Sequence, residues 1–342
     1  MSLIKRYDVL TICNALVDIV YKATDMELAQ FNLRKGHMNL VESEKQNIIL
    51  SHFAGRDATV ELGGSSLNAM RALAMLKKKT VFAGMLAKDR YGFTVEKRME
   101  ELNIKADLHY TDKDSTGTCV VLVTEDGERT MNTHLGASRL YTKKIIPVED
   151  LKNTKAFHIS GYQWDTKEQK EAIYEALKLA KEAGCEISFD LADPFVVRNH
   201  KDEFAKVIKD YADIVFANEE EAHLLFGLFA EETAEKIASQ GACAVIKLGA
   251  KGALIQKDKE IFRIGAVPTQ VVDTTGAGDM FAAGFLYGYL SNFGLEVAGN
   301  IAAYLASDVI SRFGANLSEE SVQFILRHYG SGRHPHEKQR SL

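Results

Sequence analysis

Short apolar runs alternate with amphipathic stretches along most of this chain, and that rhythm leaves few folds open. Each run wants burial on both faces, and each stretch offers one apolar stripe to cover it. The runs are VLTIC (9 to 13), TVFAGM (80 to 85), AFHIS (156 to 160), EISFDL (186 to 191), DIVFAN (213 to 218) and AVIKLG (244 to 249). The stretches between them predict helices over about 66–78, 90–102, 167–183, 200–211, 219–226 and 231–240. The last third turns helical, with 277–291 and 295–312 both carrying apolar residues at helical spacing. The expected fold is therefore α/β, a three-layer α/β/α domain around a mainly parallel central sheet.

Two stretches break the rhythm. Residues 110 to 136 read as a hairpin, with Asp126-Gly127 as the turn pair between two β-prone arms. Residues 16 to 62 mix three strand candidates (LVDIVYKA, HMNLV and ATVELG) with a helix near 43–53. Together they predict a small β-sheet lid. The expected division is a main domain of residues 1–15, 63–109 and 139–330, a lid of residues 16–62 and 110–138, and a flexible polar tail over 331–342 in which His334 and His336 are solvated.

Composition excludes several classes. With 46% hydrophobic and 26% charged residues over 342 positions, the chain has enough apolar material for a large core. A net charge of -5 with scattered Lys and Arg provides no basic stripe for nucleic acid. No run approaches the roughly 18 apolar residues of a membrane span, and the opening MSLIKRYDVLTICNALVDIV mixes charge throughout, so the expected location is cytoplasmic and no membrane partner is expected. Cys13, Cys119, Cys185 and Cys243 are far apart in apolar surroundings and read as reduced, buried small hydrophobes.

The chemistry concentrates in VVDTTGAGDMFAAGFL, residues 271 to 286, where a β-prone run meets Gly276-Ala277-Gly278-Asp279 and then an apolar helix. Glycines at such a turn let backbone N–H groups approach a ligand, and the new helix aims its unpaired N–H groups at an anion. The spacing matches neither a P-loop nor a dinucleotide fingerprint. A carboxylate beside an anion hole accepts the proton of an attacking hydroxyl; equally, Asp279 is a helix-capping residue and the glycines only turn the chain.

The run DTTGAGDMFAAGFL closely resembles the C-terminal signature of the ribokinase, or PfkB carbohydrate kinase, family, and GGSSLNAMRAL (63 to 73) resembles its N-terminal one. The resemblance spans Asn14 to about Gly314. It implies a ribokinase-like fold, ATP and Mg2+ as cofactors, Asp279 as catalytic base and the backbone of Gly276, Ala277 and Gly278 as anion hole. Asn218 and Glu221 match the family's N-x-x-E motif, implying a phosphate contact at Asn218 and a metal role for Glu221. The run 246 to 252, with Lys247, Gly249 and Gly252, resembles the adenine-nucleotide segment, and Asn300 is expected on the same side. Ser311 to Ala315 resembles the region where some relatives bind a monovalent cation such as K+.

The opening Asn14-Ala15-Leu16-Val17-Asp18 is similar to the adenosine kinase branch, as is Gly127-Glu128-Arg129-Thr130-Met131, which implies that Arg129 reaches the phosphates. Asn14, Asp18, Gly63, Gly64 and Asn68 are then expected to hold a ribose. A base needs a flat apolar slot, for which Leu16, Leu40, Leu135, Tyr162 and Trp164 are the candidates. Cys13 departs from the Gly of many relatives, and Tyr162-Gln163-Trp164 departs from the usual aromatic pattern. The expected partner is a small-molecule nucleoside, with a free or phosphorylated sugar or a non-catalytic binding role as alternatives, in a monomer or homodimer.

Overall fold

The structure is a computed structural model that describes residues 5–330; the expected tail, with its two histidines, lies outside the described residues. Nine strands form one sheet in the order Glu260–Ile264, Ala253–Lys257, Cys243–Lys247, Ile214–Asn218, Glu186–Asp190, Thr154–Ser160, Tyr7–Ile12, Thr80–Ala87, Lys105–Thr111. From Cys243–Lys247 to Lys105–Thr111 every pairing is parallel, and the first two strands add an antiparallel hairpin at one edge.

Alternation along the strands feeds two cores, one per face. Leu10 and Ile12, Val215 and Ala217, and Ala244 and Ile246 pack under the helices Lys167–Glu182, Pro194–Asp210 and Ala230–Ser239. Their strand neighbours Val9, Phe216 and Val245 point the other way, against Ser65–Met75, Ala277–Leu290 and Leu295–Ile310. This is the three-layer arrangement expected from the sequence.

A second sheet of five strands runs Met38–Leu40, Arg129–His134, Gly117–Val123, Leu16–Lys22, Thr59–Gly63. Its two faces do different work. Val17, Ile19, Tyr21, Val120 and Leu122 form a third core with Ile49 and Phe53 of the helix Ser43–His52 and with Val95 and Met99 of Arg90–Glu101. The alternate positions Leu16, Asp18, Cys119, Met131, Thr133 and Leu135 face a cavity shared with the main sheet.

Several boundaries differ from expectation. The strand Lys105–Thr111 belongs to the main sheet, so its last two residues do not join the small one, and Gly63 ends a strand of the small sheet. The helix expected from 200 begins at Pro194, because Asp193 caps it by accepting a hydrogen bond from Phe195 N (2.7 Å) and Pro194 suits its first position. That helix is kinked at His200. All four cysteines are free and buried, and among the described residues no helix is long and apolar enough to cross a membrane.

Candidate active site

The cavity, about 400 Å³, sits at the carboxyl ends of the main-sheet strands where the strand order turns back. Tyr7–Ile12 is flanked by Thr80–Ala87 on one side and Thr154–Ser160 on the other, and at such a switch point the loops diverge and leave a crevice. The small sheet roofs it. Asn14, Tyr162 and Ala192 enter from the ends of three adjacent strands, and residues 274 to 279 close the side wall.

Gly276 caps the helix Ala277–Leu290 with φ +76°, and a Cβ there would lie 2.6 Å from Ala315 Cβ, so the turn accepts glycine for two reasons. The amides of Gly278 and Asp279 fall in the first turn, where a helix has no internal acceptors. Ala277 N donates back to Thr274 O at 3.2 Å, which takes one of the three expected anion-hole residues partly out of use.

Asp279 is gripped from the opposite helix. Ser65 Oγ donates to its Oδ1 at 2.6 Å and Asn68 Nδ2 to its Oδ2 at 2.9 Å. Arg71 in turn donates to Asn68 Oδ1 (3.1 Å) and to Leu62 O (2.9 Å), which fixes the amide's orientation. Burial pushes the Asp279 carboxyl above the usual range, and the Ser65 and Asn68 donors pull it partly back. The outcome is an oriented carboxylate with raised basicity beside a helix N-terminus.

On the roof, Asp18 projects towards the same space. A Cβ on Gly63 would collide with its carboxylate, so glycine there makes room for it. Burial raises Asp18 to about 7 despite Arg129 and Arg71 nearby. Asn14 lines the cavity but is tied down: its Nδ2 donates to Tyr162 O (3.0 Å) and its Oδ1 accepts from Gln169 Nε2 (2.9 Å), leaving one N–H and one lone pair. Gly64 abuts Asn14 O.

Leu16, Leu40 and Leu135 line the apolar half of the cavity together with Met38, Met131 and Phe195. Trp164 lines the cavity as expected, but its ring is fully buried among Phe204, Phe189 and Tyr174 at 5.2, 5.6 and 6.0 Å. The exposed aromatic at the cavity is Phe195, 53% accessible, one turn before the kink at His200. Its signal in the sequence was the Asp193-Pro194 helix start. Ser65, inside the quoted GGSSLNAMRAL run, was also missed.

Asn218, Glu221, Lys247, Gly249, Gly252 and Asn300 lie outside this cavity. The first five lie at or just beyond the ends of the strands Ile214–Asn218 and Cys243–Lys247, and Asn300 is exposed on Leu295–Ile310, beside Gly299, which packs on the edge hairpin. The two groups meet at Lys247, whose Nζ comes within 3.3 Å of the position a Cβ on Gly278 would take. Asn218 and Glu221 form a reciprocal capping box: Glu221 N donates to Asn218 Oδ1 (2.8 Å), while Glu221 Oε2 accepts from Asn218 N (2.8 Å) and Oε1 from Asn218 Nδ2 (2.7 Å). Burial raises Glu221 to about 7, against the pull of Lys247.

Arg129 reaches across from the small sheet to Asp273, Nη1 to Oδ2 2.6 Å, with side chains only 10% and 3% exposed. Asp273 also accepts from Gly314 N (2.9 Å) and Thr275 N (3.0 Å), and Asn316 Nδ2 donates to Glu61 Oε2 (2.8 Å). These bonds pin the small sheet to the turn that precedes the anion hole.

Comparison with known proteins agrees with this layout. The model of the pfkB family carbohydrate kinases matches residues 44–322. An adenosine kinase from Sinorhizobium meliloti superposes with a TM-score of 0.86 at 34% identity, covering 94% of this chain and 99% of that one. The adenosine kinase of Saccharomyces cerevisiae is 26% identical over 91% of this chain and 97% of its own. A 5-dehydro-2-deoxygluconokinase from Lacticaseibacillus casei is 30% identical over 75% and 82%. With its two sheets and a family match over most of its length, the chain belongs to the pfkB family of carbohydrate kinases.

Proposed function

We propose that this chain transfers the γ-phosphoryl group of ATP to the 5′-hydroxyl of a nucleoside, with adenosine as the first candidate. The observation that supports this most is the Asp279 carboxylate, held by Ser65 and Asn68 at the junction of a helix N-terminus and a cavity lined by both polar and apolar side chains. In this reading Asp279 takes the hydroxyl proton as the oxygen attacks the γ-phosphorus in line, and the first-turn amides receive the charge that develops on the phosphoryl oxygens.

The cavity's division suits a nucleoside. Asp18 and Asn68, with the remaining valences of Asn14, face the polar half, where a ribose presents hydroxyls. Met38, Leu40, Met131, Leu135 and Phe195 offer the apolar slot that a purine requires. ATP would lie along the strand ends from Asn218 to Gly252, outside the acceptor cavity. In this reading closure of the small sheet would carry Arg129 from Asp273 to the phosphates and exclude water.

Mg2+ fits the donor set. Among the described residues no three acidic or histidine side chains are grouped as a direct cage, and Mg2+ commonly keeps several waters while leaning on one or two carboxylates and the substrate phosphates. Glu221 is the carboxylate available for that purpose near Lys247. The metal would supply neutralisation of phosphate charge. A monovalent cation at residues 311–315, a cytoplasmic location and a monomer or homodimer remain part of this proposal.

A sugar acceptor is the second reading. Asn199, Gln163 and Asp165 also line the cavity, polar groups that a polyol would engage. Calorimetric titration separates the two: adenosine binding with ribose and fructose showing none supports the nucleoside reading. Sugar binding without adenosine binding overturns it.

A further inference from the structure

Lys247 ends the strand Cys243–Lys247 in register with Asn218 of the next strand, yet its ammonium pairs with Asp190, one strand further on. Strands lie about 4.8 Å apart, so Lys247 and Asp190 together bridge roughly 10 Å of the sheet's carboxyl edge over the end of Ile214–Asn218. That course brings Nζ to the anion-hole turn, 3.3 Å from the point where Gly278 would carry a Cβ.

The pair is poorly explained as a stabilising device. Its N–O distances are 3.3 and 3.4 Å, longer than the 2.7–2.9 Å of a good charge-assisted bond. Both side chains are largely buried, 17% and 5% exposed, and a buried ion pair of loose geometry rarely repays its desolvation. Its two contacts both go to the one Asp190 carboxylate, although an ammonium has three N–H groups to give. The surroundings also need a cation: Asp190, Glu221 and Asp279 all act on Lys247 as negative groups, and without it they would repel a transferred phosphoryl group.

We infer that Lys247 is a catalytic cation of the anion hole, its ammonium meeting the oxygens of the phosphoryl group in transfer, and that Asp190 is the positioning residue that holds it there. The inference rests on the reading of this site as a phosphoryl-transfer centre. It goes further by assigning Lys247 to the transition state rather than to resting nucleotide binding, and by giving Asp190 a task. An interaction realised only in the transition state lowers kcat when removed and leaves nucleotide affinity alone.

The test compares Lys247→Met, Asp190→Asn and the double variant with the parent. Each is assayed for kcat and KM of ATP and for affinity to MgADP with and without aluminium fluoride, a mimic of the phosphoryl group in flight, in the presence of acceptor. Lys247→Met should lose at least 100-fold in kcat and in aluminium fluoride-dependent affinity, while MgADP affinity and KM for ATP stay within about threefold. Asp190→Asn should lose about tenfold in kcat, and the double variant should be no better than Lys247→Met. Turnover restored in the double variant would show that the pair is structural and overturn the inference. So would a raised KM with kcat kept, or aluminium fluoride affinity unchanged in a folded Lys247→Met. Absence of ATP turnover by the parent with every acceptor would instead overturn the underlying reading of function.

Discussion

Asp18→Asn offers a test in which stability and binding move in opposite directions. Burial lifts the Asp18 carboxyl from an ordinary 3.8 to about 7, so the folded protein holds this proton far more tightly than the unfolded chain does. Stability of the parent therefore falls as pH rises from about 4 to 7 and levels off above. The full difference corresponds to ~4 kcal/mol of unfavourable ionisation. Water in the cavity and relaxation of the nearby Arg129 and Arg71 reduce what a variant regains to about 1–2 kcal/mol. An asparagine of the same shape never ionises. At pH 8 without ligand the variant should melt about 1–3 °C above the parent, and at pH 4 the two should coincide. Thermal melts at half-unit pH steps measure this, and the difference between the curves isolates Asp18 from other titrating groups. The same variant should bind acceptor at least tenfold more weakly, since the carboxylate is proposed to hold hydroxyls. A melting difference independent of pH, or a variant less stable than the parent at pH 8, would refute the reasoning.

Ser65→Ala and Asn68→Ala each remove a donor that favours ionised Asp279, so the acid limb of the kcat/KM profile should move to higher pH, with the larger displacement in the double variant. Trp164→Ala should cost about 3–5 kcal/mol in denaturant unfolding because the ring is packed in the core, whereas Trp164→Phe should keep acceptor affinity within a few-fold. Arg129→Ala leaves the Asp273 carboxylate buried without its cation and should lower stability by about 3 kcal/mol, of which Asp273→Asn in the same chain recovers part.

The sequence made the sheet legible because burial on two faces writes itself as continuous apolar runs, and Gly276 to Asp279 because a helix that opens on glycines and an acid is locally unusual. The small sheet was legible from the Asp126-Gly127 hairpin and the strand candidates that break the βα rhythm, and the structure adds that Val17, Ile19 and Tyr21 form its buried face. What the sequence concealed depends on distances across the chain. Ser65 stands next to two glycines in the sequence, and only the packing of Ser65–Met75 against Ala277–Leu290 shows its hydroxyl on Asp279. Trp164 lines the cavity as its strand-end position suggests, and only the packing shows that Phe189 and Phe204 also enclose its ring. Phe195 gave no signal beyond a proline and a cap, because its exposure at the cavity follows from where the helix starts. Asn218 and Glu221 show that one pattern satisfies two descriptions: a capping box by geometry, and an expected phosphate and metal contact by family resemblance.

The central claim is acceptor choice with Asp279 as base, and one measurement reaches both parts: ATP-to-ADP turnover with Mg2+ across adenosine, inosine, guanosine, cytidine, ribose, fructose and fructose 6-phosphate, run in parallel with Asp279→Asn. Turnover selective for adenosine and reduced at least 1,000-fold in the variant is the predicted result. Near-normal turnover by a folded Asp279→Asn would contradict the base assignment, and preference for a sugar would contradict the nucleoside reading while leaving the phosphoryl-transfer site in place.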